Sequence, residues 1–95
     1  MDNQTKESII ETSWQIHQQV EESYLGHSAK KGDSDWPDKQ RLLLADMSLH
    51  LLQTALNPTD IELEKLRNNL HSILTISDQF LPDSELKTAT ERLFP

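Results

Sequence analysis

Among its 95 residues the chain has no cysteine, two glycines, four prolines, five aromatic residues and a single valine, Val20. Each scarcity excludes something. Without cysteine there is no disulfide framework and no thiol nucleophile. A small chain in an oxidising compartment commonly carries a disulfide staple, so a cytoplasmic location is expected. So little valine and so few aromatics argue against strands, which favour β-branched and aromatic side chains. Few glycines and prolines leave few turns, which suits long helices joined by short loops. The longest unbroken apolar run is "LLLA" at 42–45, far too short to cross a membrane as a helix. The opening "MDNQTKESII" lacks the basic-then-apolar order of a signal peptide, so no leader is expected.

What remains is a leucine- and isoleucine-rich apolar set making up most of the 35% hydrophobic residues, clustered rather than scattered. That pattern is helical rather than disordered, and the length sets a single domain with one modest core. Sixteen acidic residues against nine basic give a net charge of −7. Nucleic-acid affinity comes largely from Lys and Arg on phosphates, so direct nucleic-acid binding is not expected, nor is an anionic membrane surface.

Hydrophobic periodicity predicts four helices, at about 3–25, 36–56, 59–78 and 83–93, with a loop at 26–35. The fold class expected is all-α, an antiparallel helical bundle of three long helices plus a short C-terminal helix. The first helix carries Ile9, Ile10, Ile16, Val20 and Tyr24 on one face, with Ser13 and His17 between them. Gly26 is read as its left-handed terminator. Pro37 suits the first turn of the second helix, with Ser34 or Asp35 as cap. That helix has two overlapping apolar stripes, Leu44–Met47–Leu51–Ala55 and Ala45–Leu49–Leu52–Leu56, which make it central, with neighbours on two sides. Thr59 and Glu62 have capping-box spacing at the start of the third helix. Leu63, Leu66, Leu70, Ile73 and Ser77 then form a seam of threes and fours, with Ile61, Ile76 and Phe80 off it. Pro82–Asp83–Ser84 breaks the chain, and the short fourth helix presents Leu86, Ala89, Thr90, Leu93 and Phe94.

Chemistry-bearing patterns are sparse. His27 followed by Lys30 resembles the phosphoacceptor segment of histidine phosphotransfer domains, which are acidic helical bundles of this size. Their glycine falls four residues after the histidine. Here that position is Lys31 and the glycine is Gly32, and His27 follows Gly26 into a loop. The loop is therefore read as a connection, and phosphotransfer is kept as the weakest alternative. Arg67 and His71 in "RNNLH" resemble the Arg–His motif of small helical ribonuclease toxins, but they have three residues between them, fewer than that motif has, and are read as solvated. The four histidines, His17, His27, His50 and His71, fall one to a segment with no HExxH, so no metal or cofactor is expected. His17 is read as a boundary or hydrogen-bonded core histidine, and His50 is placed in solvent. There is no GxSxG and no phosphate-cradling glycine loop, so catalysis is not expected.

Trp14 at the flank of the first helix, Trp36 at the start of the second, and Leu43 interrupting its polar arc are the candidate protein-contact residues. The structural reading, in which Trp14 widens the core and Trp36 pins the loop, is the favoured one for both tryptophans. The expectation is a non-enzymatic interaction module, an adaptor, small subunit or regulator that binds another protein or a second copy of itself. The alternative is an acidic inhibitor that imitates nucleic acid in a basic groove, its face begun by Glu7, Glu11, Glu21 and Glu22 on the first helix with Asp60 and Glu64 on the third; Lys30, Lys31, Lys39, Lys65 and Arg67 interrupt that pattern.

Overall fold

Asp2 opens the first helix: its Oδ1 accepts the Thr5 amide at 2.7 Å, satisfying a donor that a helix start leaves free. The computed structural model describes residues 1–94. In order it contains α1 (Asn3–Leu25), α2 (Trp36–Ala55), α3 (Leu63–Ser77), a 3-10 turn (Pro82–Ser84) and α4 (Leu86–Leu93). No strand occurs among the described residues, and the predicted three long helices plus a short one are observed. Cross-helix pairs run in opposite directions along the chain. Ser13 meets Gln53 and Tyr24 meets Lys39, while Thr54 meets Asn69 and Gln40 meets Gln79. Neighbouring helices are therefore antiparallel, and α2 lies between α1 and α3.

The connections depart from expectation in four places. Gly26 is right-handed (φ −79°), because the Gly26 and His27 amides close back onto Glu22 and Tyr24 carbonyls and no reversal is needed. The left-handed glycine is Gly32 (φ +99°), in a loop tied by the Lys30 amide on Asp33 Oδ2 at 2.8 Å. Asp35 occupies the cap position of α2 with its backbone only, and neither its side chain nor that of Ser34 caps the helix. The capping box at Thr59 does not form. Asn57 Oδ1 takes both the Thr59 amide and hydroxyl, at 3.4 Å each, and α3 starts only after Glu62. The fourth helix is split, because Glu85 adopts a left-handed conformation (φ +54°) between the 3-10 turn and α4.

The packing is that of a slab. Its extents are 44 × 35 × 16 Å, and the thickness is little more than one helix diameter. The radius of gyration is 15.0 Å, where a compact chain of this length has about 12–13 Å. Among the described residues the only buried hydrophobic side chains are Ala29 and Ile76. The positions buried at the helix junctions are instead polar: Ser13, His17, Gln40, Asp46, Thr54 and Thr90.

Three of them, Ser13, Thr54 and Gln40, pair across the junctions, while the Thr90 hydroxyl donates to the Lys87 carbonyl of its own helix. Gln53 Nε2 donates to Ser13 Oγ at 3.3 Å, Thr54 Oγ1 to Asn69 Oδ1 at 2.6 Å, and Gln79 Nε2 to Gln40 Oε1 at 3.1 Å. A buried polar group left alone carries a desolvation penalty, so the pairs fix helix register. They also turn the apolar stripes aside. The centre of α1 against α2 is Ser13 and His17 rather than the isoleucines, and Ile16 is 44% exposed. On α3 the fully buried residue is Ile76, predicted to lie off the seam, whereas Leu63 of the seam is 66% exposed. Ile61 and Phe80 are exposed.

Candidate functional site

Two features stand out, one on each side of the slab. Side chains two positions apart on a helix point about 160° apart. Trp14, His50, Gln53, Thr54, Lys65, Asn68 and Asn69 together line a cleft of about 300 Å³ that spans α1, α2 and α3. Ile16, Leu52, Leu66 and Leu70 each lie two positions from one of Trp14, His50 and Asn68, so they project to the opposite side. There Ile9, Ile16, Leu49 and Leu52 share one shallow depression, and Leu63, Leu66, Leu70 and Leu93 share another. Leu44, Leu51, Ala45 and Ala55 lie between these on α2, each half-buried or exposed. The side opposite the cleft is thus leucine- and isoleucine-rich, while the His50 side of α2 carries both the polar cleft and the depression lined by Leu43, Met47 and Ile76.

The total surface is larger than that of a compact monomer. A compact monomer of 11.0 kDa exposes about 5,600 Å². This chain exposes 6844 Å². The excess, roughly 1,200 Å², exceeds the ~800 Å² that each partner contributes to a standard protein interface. Helical domains are built from two packed layers around an apolar core, and here one layer is present with its apolar face uncovered.

On the clefted side, the α1–α2 junction gathers His17, Asp46 and His50. Asp46 and His50 are one turn apart on α2, and α1 brings His17 to them. His17 Nε2 lies 3.1 Å from His50 Nε2 and 2.7 Å from Asp46 Oδ1, and His50 Nε2 lies 3.8 Å from Asp46 Oδ2. Glu21 Oε2 stands 3.8 Å from His17 Nδ1. The Trp14 and His17 rings pack edge to face, with centroids 5.6 Å apart. His17 and Asp46 are each 9% exposed, while His50 is partly open to the cleft. The 2.7 Å approach of His17 Nε2 to Asp46 Oδ1 is not a hydrogen bond: the ring nitrogen is aimed at His50, and Oδ1 is buried without a donor.

His17 is the hydrogen-bonded core histidine read from the sequence. His50 corrects the prediction of a solvated side chain, because the α1–α2 crossing places it against His17. The Asp46–His50 spacing, one helical turn, was the available signal for this cluster. Trp14 is 53% exposed at the cleft mouth, and Trp36 is half-buried at the start of α2. Leu43 is not an isolated exposed leucine: it is half-buried with Met47 and Ile76 at the α2–α3 junction. None of the three lies on the apolar side's depressions. His27 caps its own loop, its Nδ1 accepting the Ala29 amide at 3.2 Å. Arg67 and His71 both pack on the Phe94 ring and hold the end of the chain against α3.

Comparison with protein-family models, curated proteins and solved structures finds no match, so no role is carried over from a relative.

Proposed function

We propose that this chain is a non-enzymatic protein-interaction module that works as one layer of a two-layer helical assembly, its apolar face covered by a second copy of itself. One observation carries the reading: a slab 16 Å thick with two buried hydrophobic side chains among its described residues and a leucine-rich open face. A fold that depends on cover needs a partner that is always present, and another copy meets that need wherever the chain is made. Stacking two slabs about a two-fold axis puts the same patch on both sides of the interface and buries α2, the most apolar helix, at its centre.

The test is the solution mass by light scattering across a concentration series. A dimer, twice the 11.0 kDa chain mass, that is insensitive to salt supports the reading. A folded monomer at all concentrations overturns it. So does a poorly folded monomer that becomes helical only with a different protein, which would replace the second copy with a dedicated partner.

A further inference from the structure

The His17–Asp46–His50 cluster belongs neither to the apolar face nor to the polar pairs that set helix register, and its hydrogen bonding is incomplete. We propose that it is a binding site for a late first-row divalent metal ion of the zinc class, held by His17 Nε2, His50 Nε2 and an Asp46 carboxylate oxygen.

Three observations support this. First, the donor spacing fits. A tetrahedral centre with bonds of about 2.0–2.1 Å holds its ligand atoms about 3.3 Å apart. The two Nε2 atoms are 3.1 Å apart, Asp46 Oδ1 stands 2.7 Å from that of His17, and Asp46 Oδ2 stands 3.8 Å from that of His50. One ligand atom from each residue lies within 4.8 Å of the other two, and the carboxylate torsion is soft, so a rotation of Asp46 brings one oxygen to both nitrogens. Second, a single shared proton does not complete the cluster. One N–H between the two Nε2 atoms satisfies that pair and leaves Asp46 Oδ1 buried, 2.7 Å from a nitrogen, with no donor. A cation at the centre accepts lone pairs from all three atoms at once. Third, the surroundings orient the ligands. Glu21 stands on the Nδ1 side of His17, which favours the tautomer with Nε2 free to coordinate, and the T-shaped contact with Trp14 fixes the ring.

Two imidazoles and one carboxylate suit zinc and its neighbours rather than magnesium or calcium, which take oxygen ligands. His50 is the ligand open to the cleft, so the ion enters there, and the remaining coordination position is left for water. Because His17 is on α1 and the other two ligands on α2, the ion clamps these helices together.

The experiment is calorimetric titration of the untagged full chain with zinc, alongside visible absorption on cobalt addition. The variants are H50Q, D46N and, as a control away from the cluster, H27Q, with helix content followed by circular dichroism. The expected result is one ion per chain in the wild type and H27Q, an intense tetrahedral cobalt spectrum, and affinity weakened about 100-fold or more in H50Q and D46N. Should D46N lose its helix content, H50Q decides, because that side chain is partly exposed. No saturable zinc binding, or binding undiminished in H50Q, overturns the proposal.

Discussion

Leu52 occupies the middle helix and points away from the clefted side, so a Leu52→Glu substitution probes the covered face with little effect on the layer itself. Fully burying a leucine contributes about 1.5–3 kcal/mol, and Leu52 is already half-buried within its own chain. Completing its burial in a dimer is therefore worth about 1 kcal/mol per copy, or about 2 kcal/mol for the pair. Leu52→Ala should weaken dimerisation by roughly 30-fold on that basis, since each 1.4 kcal/mol is tenfold. Leu52→Glu adds the desolvation of an unpaired carboxylate on each side, which is several kcal/mol per ion and raises the loss above roughly a thousandfold. Sedimentation velocity over a micromolar concentration series reads both changes directly. Asn68→Glu, on the clefted side, serves as the control and should leave the association unchanged. A Leu52→Glu protein that associates as tightly as the wild type would refute the assignment of the face, whatever its stability.

Three further outcomes are expected. Thr54→Val removes the donor to Asn69 at the α2–α3 junction and should cost about 1–3 kcal/mol in urea unfolding, most of it recovered when Asn69 is also made apolar. Glu85 is held at φ +54° without glycine's freedom, so Glu85→Gly should raise stability by up to about 1 kcal/mol; a clear loss in thermal unfolding would show that the Glu85 side chain contributes something beyond its backbone geometry. The Thr5 amide and hydroxyl hold the Asp2 carboxyl below the usual carboxylate range. A depressed folded value means this cap stabilises above the ordinary carboxylate pKa and is lost as pH falls through the lowered one. Amide exchange in the first turn of α1 should therefore accelerate at the acid end and be fast at every pH in Asp2→Ala.

The helices were legible because their signals are local. Prolines at 37 and 82, the glycine-containing loop, and leucine spacing on α2 each act within a turn or two of where they stand. The centrality of α2 was also legible, from apolar residues covering more than half its circumference. What could not be read was which side of each stripe meets a neighbour. Periodicity alone places Ile16 and Leu63 inward, yet the junctions are occupied by Ser13, His17, Thr54 and Gln40, whose partners lie 15 to 40 residues away. The same holds for the histidine cluster. Asp46 and His50 share a helix face in the sequence, but only the α1–α2 crossing puts His17 between them. Thr59 failed as a cap for a local reason, because Asn57 competes for the same groups.

The most direct measurement is a nuclear Overhauser experiment on a mixed sample in which half of the chains carry ¹³C-labelled methyl groups, so that only contacts between copies give signal. The expected result is intermolecular contacts at the methyls of Ile16, Leu49, Leu52, Leu66 and Leu70, and none around the Trp14 cleft. Contacts confined to the Trp14 side, or no intermolecular signal from a well-folded protein, would contradict the two-layer assembly.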